Sequence, residues 1–376
     1  MVSIVRLSGK IYPRSGIKRT LFIFRSHLIY RALTREWIHQ IERTPWLLAL
    51  LELRPSLLER IHRPYQQSHF TTRQRLHSVS AHYAACARIG WQKFCTRVAD
   101  QPLILANFVG KNDEEFVIFL SMRASAHKEG EWLICFSGAC LARCEFSVTL
   151  SFRQSPAGVV LFIGGLQGPT GVDAHGRVKE VTRALYGERP RNLMLEVVRT
   201  IARVAGCVGI ELVSSATHVY QHARRRKNLH FDYDQFARDE AGVMTPDQTW
   251  LLPMSHPQKA LSEIPSKKRS EYTKKYSLIH SIQSDITTRV MNAVQGVDAL
   301  EAIDARLFCT RYILCCCGCF HRGCYLTPCG VFFVHPKKPE FCGRNLADCR
   351  RACLWAASGC MRCLWGRCGR RRCWCG

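Results

Sequence analysis

The chain has 376 residues, 54 Lys/Arg against 29 Asp/Glu for a formal net charge of +25, and 47% hydrophobic residues. That apolar fraction excludes a disordered polymer and allows one large domain or two ordinary ones. The charge favours phosphate-rich or anionic-lipid partners and is silent about fold.

Charge and cysteine are unevenly spread. From Cys309 onward 12 Lys/Arg face only Glu340 and Asp348, and 15 of the 21 cysteines fall in those last 68 residues. The six earlier ones, Cys86, Cys95, Cys135, Cys140, Cys144 and Cys207, lack paired spacing and read as reduced core residues of a cytoplasmic protein. Near the N-terminus the best apolar run, Leu21-Phe22-Ile23-Phe24, is cut by Arg25. It is too short for a secretory h-region or a membrane span. The expectation is a cytoplasmic protein, with peripheral contact to the inner membrane allowed by the charge.

Residues 1–16 are expected to be flexible. Residues 17–62 read as helical, with Trp37-Ile38, Ile41, Trp46-Leu47-Leu48 and Leu50-Leu51 at helix-like spacing and Pro45 and Pro55 as punctuation. A second helical run spans roughly 71–97, where Thr71-Thr72 supplies an N-cap and Leu76, Val79, His82-Tyr83 and Cys86 share a face. From 101 the period changes to two. Leu103–Val109, Glu115–Leu120, Trp132–Phe136, Glu145–Phe152 and Gly158–Ile163 are β-branched or aromatic runs between turn residues, which predicts an antiparallel meander. The turn Ile163-Gly164-Gly165-Leu166-Gln167-Gly168-Pro169 follows, then a helix over Val178–Tyr186. Arg189-Pro190-Arg191 introduces a longer helix that Gly206 stops. Cys207–Val213 returns to strand, a loop rich in His, Arg and Tyr follows, and residues 267–276 form a basic helix with Tyr272 and Tyr276 one turn apart. The fold class is α+β: N-terminal helices, then a mainly antiparallel sheet with crossover helices, over residues 17–290.

Six blocks in order carry a family resemblance: "RLHSVSAHY" (75–83), "IGGLQGP" (163–169), "VTRALYGERPRNLML" (181–195), "ATHVY" (216–220), "FDYDQF" (231–236) and "KKRSEYTKKYSL" (267–278). Together they resemble the VirK/YbjX family of bacterial proteins. The resemblance implies a role in virulence, surface-protein expression or tolerance of envelope stress such as cationic antimicrobial peptides, with the biochemical activity unassigned.

Two chemical readings stand beside that expectation. In outline, a meander followed by a glycine turn, helix and further strand is similar to an acyl-CoA-dependent N-acyltransferase, whose glycine turn holds a pyrophosphate on backbone N–H groups. In that reading Gly164, Gly165, Gln167, Gly168, Arg189 and Arg191 are the coenzyme-binding candidates, and His218, Tyr220 or Glu211 the proton-transfer candidates. The customary Arg/Gln-x-x-Gly-x-Gly spacing is absent, and a tight turn with close backbone packing competes for the same glycines. The other reading is a binding module. Arg224, Arg225, Arg226, Lys267, Lys268, Arg269, Lys274 and Lys275 offer contacts to an anionic membrane or a phosphate-bearing ligand, without any specific nucleic-acid motif. No metal is expected: His218, His222 and His230 lie beside Arg224–Lys227, whose charge repels a cation. Asp232 and Asp234 are read as flanking Tyr233 on an extended segment.

The tail, 291–376, fits none of these patterns. Its cysteine pairs have unmatched spacings, so they form no zinc module, and a disulfide scaffold would need an export signal. Cys, Gly, Trp and most Arg codons share G at the second position, so the composition matches a shifted reading frame. A disordered tail is expected.

Overall fold

The computed structural model describes residues 2–122, 128–138, 144–169, 173–221, 231–255 and 257–297, and two short strands further on. The first sixteen residues, expected to be flexible, hold helix α1 (Ile4–Ile11). Ser3 caps it by accepting the Arg6 amide, and its Leu7 is buried. Capping, the buried leucine and the partly buried Ile4 and Ile11 packed on the core seat this two-turn helix on a larger body. Helix α2 (Gly16–Phe24) runs into a π-helical turn (Arg25–Ile29), then come α3 (Arg31–Glu42), α4 (Pro45–Leu53) and a 3₁₀ segment, Pro55–His62. Both prolines occupy first-turn positions, where the missing N–H costs nothing. Helix α5 (Thr72–Arg88) opens on a full capping box between Thr71 and Gln74, and α6 (Gln92–Asp100) follows it.

The meander forms as its periodicity predicts. Strands β1 (Leu103–Val109), β2 (Glu115–Ser121), β3 (Trp132–Gly138), β4 (Cys144–Ser155) and β5 (Gly158–Gln167) pair antiparallel in chain order. Helices α7 (Ala174–Ala184) and α8 (Pro190–Val204) then cross over to β6 (Gly209–Val213), which runs parallel to β5. Beyond the expected strands, α9 (Tyr233–Asp239) leads to β7 (Val243–Met244) and β8 (Thr249–Leu252), giving an eight-stranded sheet of order β1-β2-β3-β4-β5-β6-β8-β7. Helix α10 (Ser266–Gln295) is 30 residues long, well beyond the basic segment that announced it, and packs on α8, β1 and α6. Gly296 closes it in the left-handed conformation, φ +74°.

The core centres on Trp132, whose ring meets His82 at 4.7 Å, Phe152 at 5.0 Å and Phe94 at 5.5 Å. Cys86, Cys95 and Cys207 are buried free thiols, as their spacing implied, and Cys135 is buried as well. Two irregularities prepare the site. The β4–β5 register slips between Thr149 and Leu150, leaving Gly164 as a bulge between Ile163 and Gly165. Strands β5 and β6 stop pairing past Ile163 and Leu212. Residues 301–376 form a separate unit containing an antiparallel hairpin, β9 (Cys324–Thr327) with β10 (Gly330–Phe333).

Candidate functional site

Three elements converge on the end of β5. The segment Lys128–Glu131, just before β3, presses Glu129 onto the two glycines. A Cβ on Gly165 would lie 2.5 Å from the Glu129 carboxylate, and one on Gly164 would lie 1.8 Å from the Glu129 carbonyl oxygen. The glycines therefore make room for a buried acid, by close approach rather than by unusual backbone angles. The loop Ser214–Tyr220 is wound into a turn in which the His218 amide donates to Ser214 O at 3.0 Å and Ser214 Oγ meets Thr217 Oγ1 at 2.9 Å. It delivers His218. Helix α9, capped by Asp232 through the Gln235 amide, delivers Tyr233. Asp232 and Asp234 thus mark a helix start, not an extended segment: Asp234 accepts from Trp250 Nε1 at 2.8 Å and from the Ser215 amide at 3.1 Å.

The result is a buried polar cluster. Glu129 accepts from Thr149 Oγ1 at 3.1 Å and from Gln167 Nε2 at 3.2 Å, and His218 Nε2 lies 3.5 Å away. His218 Nδ1 accepts the Tyr220 amide at 3.2 Å, so the neutral ring carries its proton on Nε2, facing Tyr233 Oη at 3.2 Å. The Tyr233 hydroxyl accepts the Leu166 amide at 3.0 Å and donates to Leu166 O at 3.3 Å. Burial first, and then the nearby Glu129 charge, push that phenol well above its ordinary pKa.

Two residues on, Glu131 faces elsewhere. It accepts from Arg60 Nε at 2.8 Å, Arg60 Nη2 at 3.3 Å, Tyr65 Oη at 2.8 Å and Tyr83 Oη at 2.7 Å. Burial would raise its pKa, but Arg60 and the hydrogen bonds hold the carboxyl below the usual range. Between the two acids, a Cβ on Gly130 would come within 2.7 Å of Leu150 O.

Beside the Glu129 cluster, across Thr217, lies an open cleft of about 1000 Å³ with Gln67, Phe70, Arg73, Arg153, Glu211 and Thr217 among its lining residues. The strip Gln67–Phe70 forms one side, backed by the buried Tyr65 and Gln66. It is stitched in by the Gln66 amide to Lys128 O at 2.6 Å and the Ser68 amide to Thr217 O at 2.8 Å. The Arg153 guanidinium lies flat over Phe162, 3.3 Å from its centroid, donating to Gln66 Oε1 at 2.9 Å and to Glu211 Oε2 at 3.3 Å. Its Nη2 is buried without a hydrogen-bond partner among the described residues. Burial pulls the guanidinium down to about 10, with the Glu211 charge opposing.

The structure thus gathers Gly164, Gly165, Gln167 and His218 around Glu129 and sets Glu211 on the cleft wall. Tyr220 is partly buried, with its ring 5.6 Å from that of His218. Gly168 abuts Phe146. Arg189 and Arg191 sit at the start of α8, where Arg191 pairs with Asp239 at 3.5 Å and lies over Phe236. The Leu166 backbone groups at the parting of β5 and β6 are taken by Tyr233, and the space over the glycines is taken by Glu129. On α10, Arg269 donates to Ile264 O, Lys275 pairs with Glu188 at 3.3 Å, and Lys267, Lys268 and Lys274 are exposed. Arg224, Arg225, Arg226, His222 and His230 lie outside the described residues. Sequence reading passed over Glu129, Glu131 and Arg153. The available signals were a Glu-Gly-Glu run directly before an apolar strand and an arginine on the strand of alternating pattern.

The six sequence blocks fall within one family match. The family described as a protein of unknown function, DUF535, matches residues 14–288. The chain belongs to it. The uncharacterized protein YbjX of Escherichia coli (strain K12) is 32% identical over 285 residues, covering 74% of this chain and 85% of that protein. An uncharacterized protein of Haemophilus influenzae is 33% identical over 126 residues, 34% of this chain and 43% of its own length. The membrane protein LapB of Mannheimia haemolytica is 21% identical over 207 residues, 52% of this chain and 84% of its own length. No solved structure matches the chain. Among the described residues of this family member, no helix is long and apolar enough to cross a membrane.

Proposed function

We propose that the protein binds a small phosphate- or carboxylate-bearing ligand in the Arg153–Glu211 cleft and, through it, supports tolerance of envelope stress from the cytoplasmic side. One observation carries the binding reading: the Arg153 side chain, 14% exposed and paired with Glu211, lines a cleft of about 1000 Å³. A guanidinium on a cleft wall can donate charge-assisted hydrogen bonds to an anion, each worth about 1.5–3 kcal/mol. Glu211 already offsets part of the Arg153 charge, so it tunes affinity. The physiological half rests on the VirK/YbjX resemblance, and the description of one relative as a membrane protein supports placement at the envelope.

Acyl-CoA falls within this ligand class, and Glu211 is the one proton-transfer candidate placed on the cleft. An N-acyltransferase is the second reading on that ground. The test is calorimetric titration and heat protection of the purified chain with coenzyme A, acetyl-coenzyme A and a panel of phosphorylated and carboxylate metabolites. Binding should be lost in Arg153→Met and strengthened roughly fivefold, about 1 kcal/mol, in Glu211→Gln, which removes the competing carboxylate. A strain lacking the gene should recover survival against a cationic peptide with the wild-type chain and not with Arg153→Met. Absence of any anion that distinguishes wild type from Arg153→Met would sink the cleft reading.

A further inference from the structure

The N-terminal helices carry an apolar surface that the fold leaves uncovered. On α2 and the π-helical turn after it, Ile17, Leu21, Phe24 and Leu28 recur at spacings of four, three and four, and are 77%, 47%, 48% and 67% exposed. The opposite face is what seats the helix. Phe22 and Ser26 are buried there, the Phe22 ring meets His62 at 5.1 Å and Tyr12 at 6.0 Å, and Ser26 Oγ donates to Phe22 O and lies 3.3 Å from His62 Nε2. The segment is therefore apolar on two sides and docked by only one of them. A row of four large apolar side chains in water on a fixed helix marks an interaction surface rather than scattered exposure.

Charge identifies what it fits. The first 35 residues contain Arg6, Lys10, Arg14, Lys18, Arg19, Arg25, Arg31 and Arg35 and no acid. Lys18 and Arg25 are exposed on the same segment as the stripe. Of the nearby acids on packed elements, Glu42 accepts the Val2 amide, Glu52 pairs with Lys10 at 2.8 Å on the surface and Glu36 is exposed on α3, so cations still outnumber acids around the stripe. An exposed apolar stripe in a field of net positive charge is the pattern of a helix that lies in the plane of an anionic bilayer, and nine helical residues plus one π turn are too few to cross it. A second copy of the chain fits less well, since a two-fold contact would oppose the same eight cations. Nucleic acid would leave the four apolar side chains against phosphates.

We propose that Gly16–Ile29 is an interfacial anchor, with Ile17, Leu21, Phe24 and Leu28 entering an anionic lipid surface and the surrounding Lys and Arg side chains on its headgroups. This surface is independent of the cleft and of the basic start of α10. The test is flotation of the purified full chain with vesicles of phosphatidylglycerol and phosphatidylethanolamine, and with phosphatidylcholine alone, across a salt series. Binding should require phosphatidylglycerol and weaken with salt. Leu21→Glu/Phe24→Glu should lower it at least tenfold with an unchanged circular dichroism spectrum and melting temperature, since both side chains are half in water already. Hydrogen exchange should show vesicle-dependent protection of residues 16–29. Equal binding to phosphatidylcholine, no binding at all, protection confined to 266–278, or a dimer in solution that the double variant abolishes would each overturn the proposal.

Discussion

Glu129 and Glu131 are two residues apart, both buried, and treated in opposite ways. Glu131 is saturated: a bidentate guanidinium and two phenols supply charge and four hydrogen bonds, and their donors come from the 3₁₀ segment, the strip after it and α5. Such a hub ties the N-terminal helices to the sheet. Glu129 is met by a hydroxyl, an amide and an imidazole, with no Lys or Arg paired to it among the described residues. A buried carboxylate with polar partners and no paired Lys or Arg among the described residues, beside a cleft, is where a fold keeps adaptable chemistry, whereas a fully compensated one is held for structure.

Breaking the saturated member should produce the largest effect. Glu131→Gln leaves Arg60 as an uncompensated buried charge, and urea unfolding should show a loss of about 3–5 kcal/mol. A change under 1 kcal/mol would mean that the hub is not structural.

Acid acts on the same region. Burial holds His82 and His62 down to about 4, with nearby Arg charges adding to it, while the unfolded residues titrate at their ordinary value. Between those limits the unfolded chain binds more protons, so stability is full above about pH 6.5 and is lost as pH falls towards 4, by an amount on the order of a few kcal/mol. The lowered pKa of Glu131 works in the same direction. His82→Asn keeps an acceptor for the Phe152 amide, which His82 Nδ1 meets at 2.9 Å, and should flatten the pH profile of the melting temperature.

The Glu129 side of the comparison is sharpened by a double-mutant cycle. Gly165→Ala places a methyl 2.5 Å from the carboxylate and should cost about 1–3 kcal/mol, but distinctly less when Glu129 is already Ala. Equal costs in both backgrounds would show that the glycine serves the strand and not the acid. The smallest effect is expected from truncation. Among the described residues, the partners shown for both clusters lie before 297, and the family match ends at 288. A chain ending at Val297 should keep its melting temperature within about 1 °C, which scanning calorimetry would check.

Much of the fold was legible because periodicity reports which faces are buried. The alternation of Phe146, Val148, Leu150 and Phe152 against Ser147, Thr149 and Ser151 announced β4, and the Thr71 N-cap and the Pro190 start appear where expected. The misses have physical reasons. Helix α1 is a two-turn element seated by Leu7 with partial cover from Ile4 and Ile11, the two-residue β7 is too short to show a period, and α10 loses its basic signature after Tyr276 while its helix continues to Gln295. Within the site, His218, Gln167 and the two glycines stood out as residue types. Glu129 did not, because an acid in a Lys-Glu-Gly-Glu run reads as a solvated turn until its burial is known.

By itself, then, the sequence determined the α+β class, the order of the meander, the family blocks and the contrast between residues up to about 290 and the cysteine-rich remainder. Each of these is written in local spacing or composition. Only the tertiary structure decided that Gly164 and Gly165 accommodate an acid, that Tyr233 caps the opening between β5 and β6, that Arg153 stands over Phe162 on the wall of a cleft, and that Ile17, Leu21, Phe24 and Leu28 face water. Those properties depend on which distant segments meet, and no local pattern of side chains encodes the burial or the partners that such meetings create.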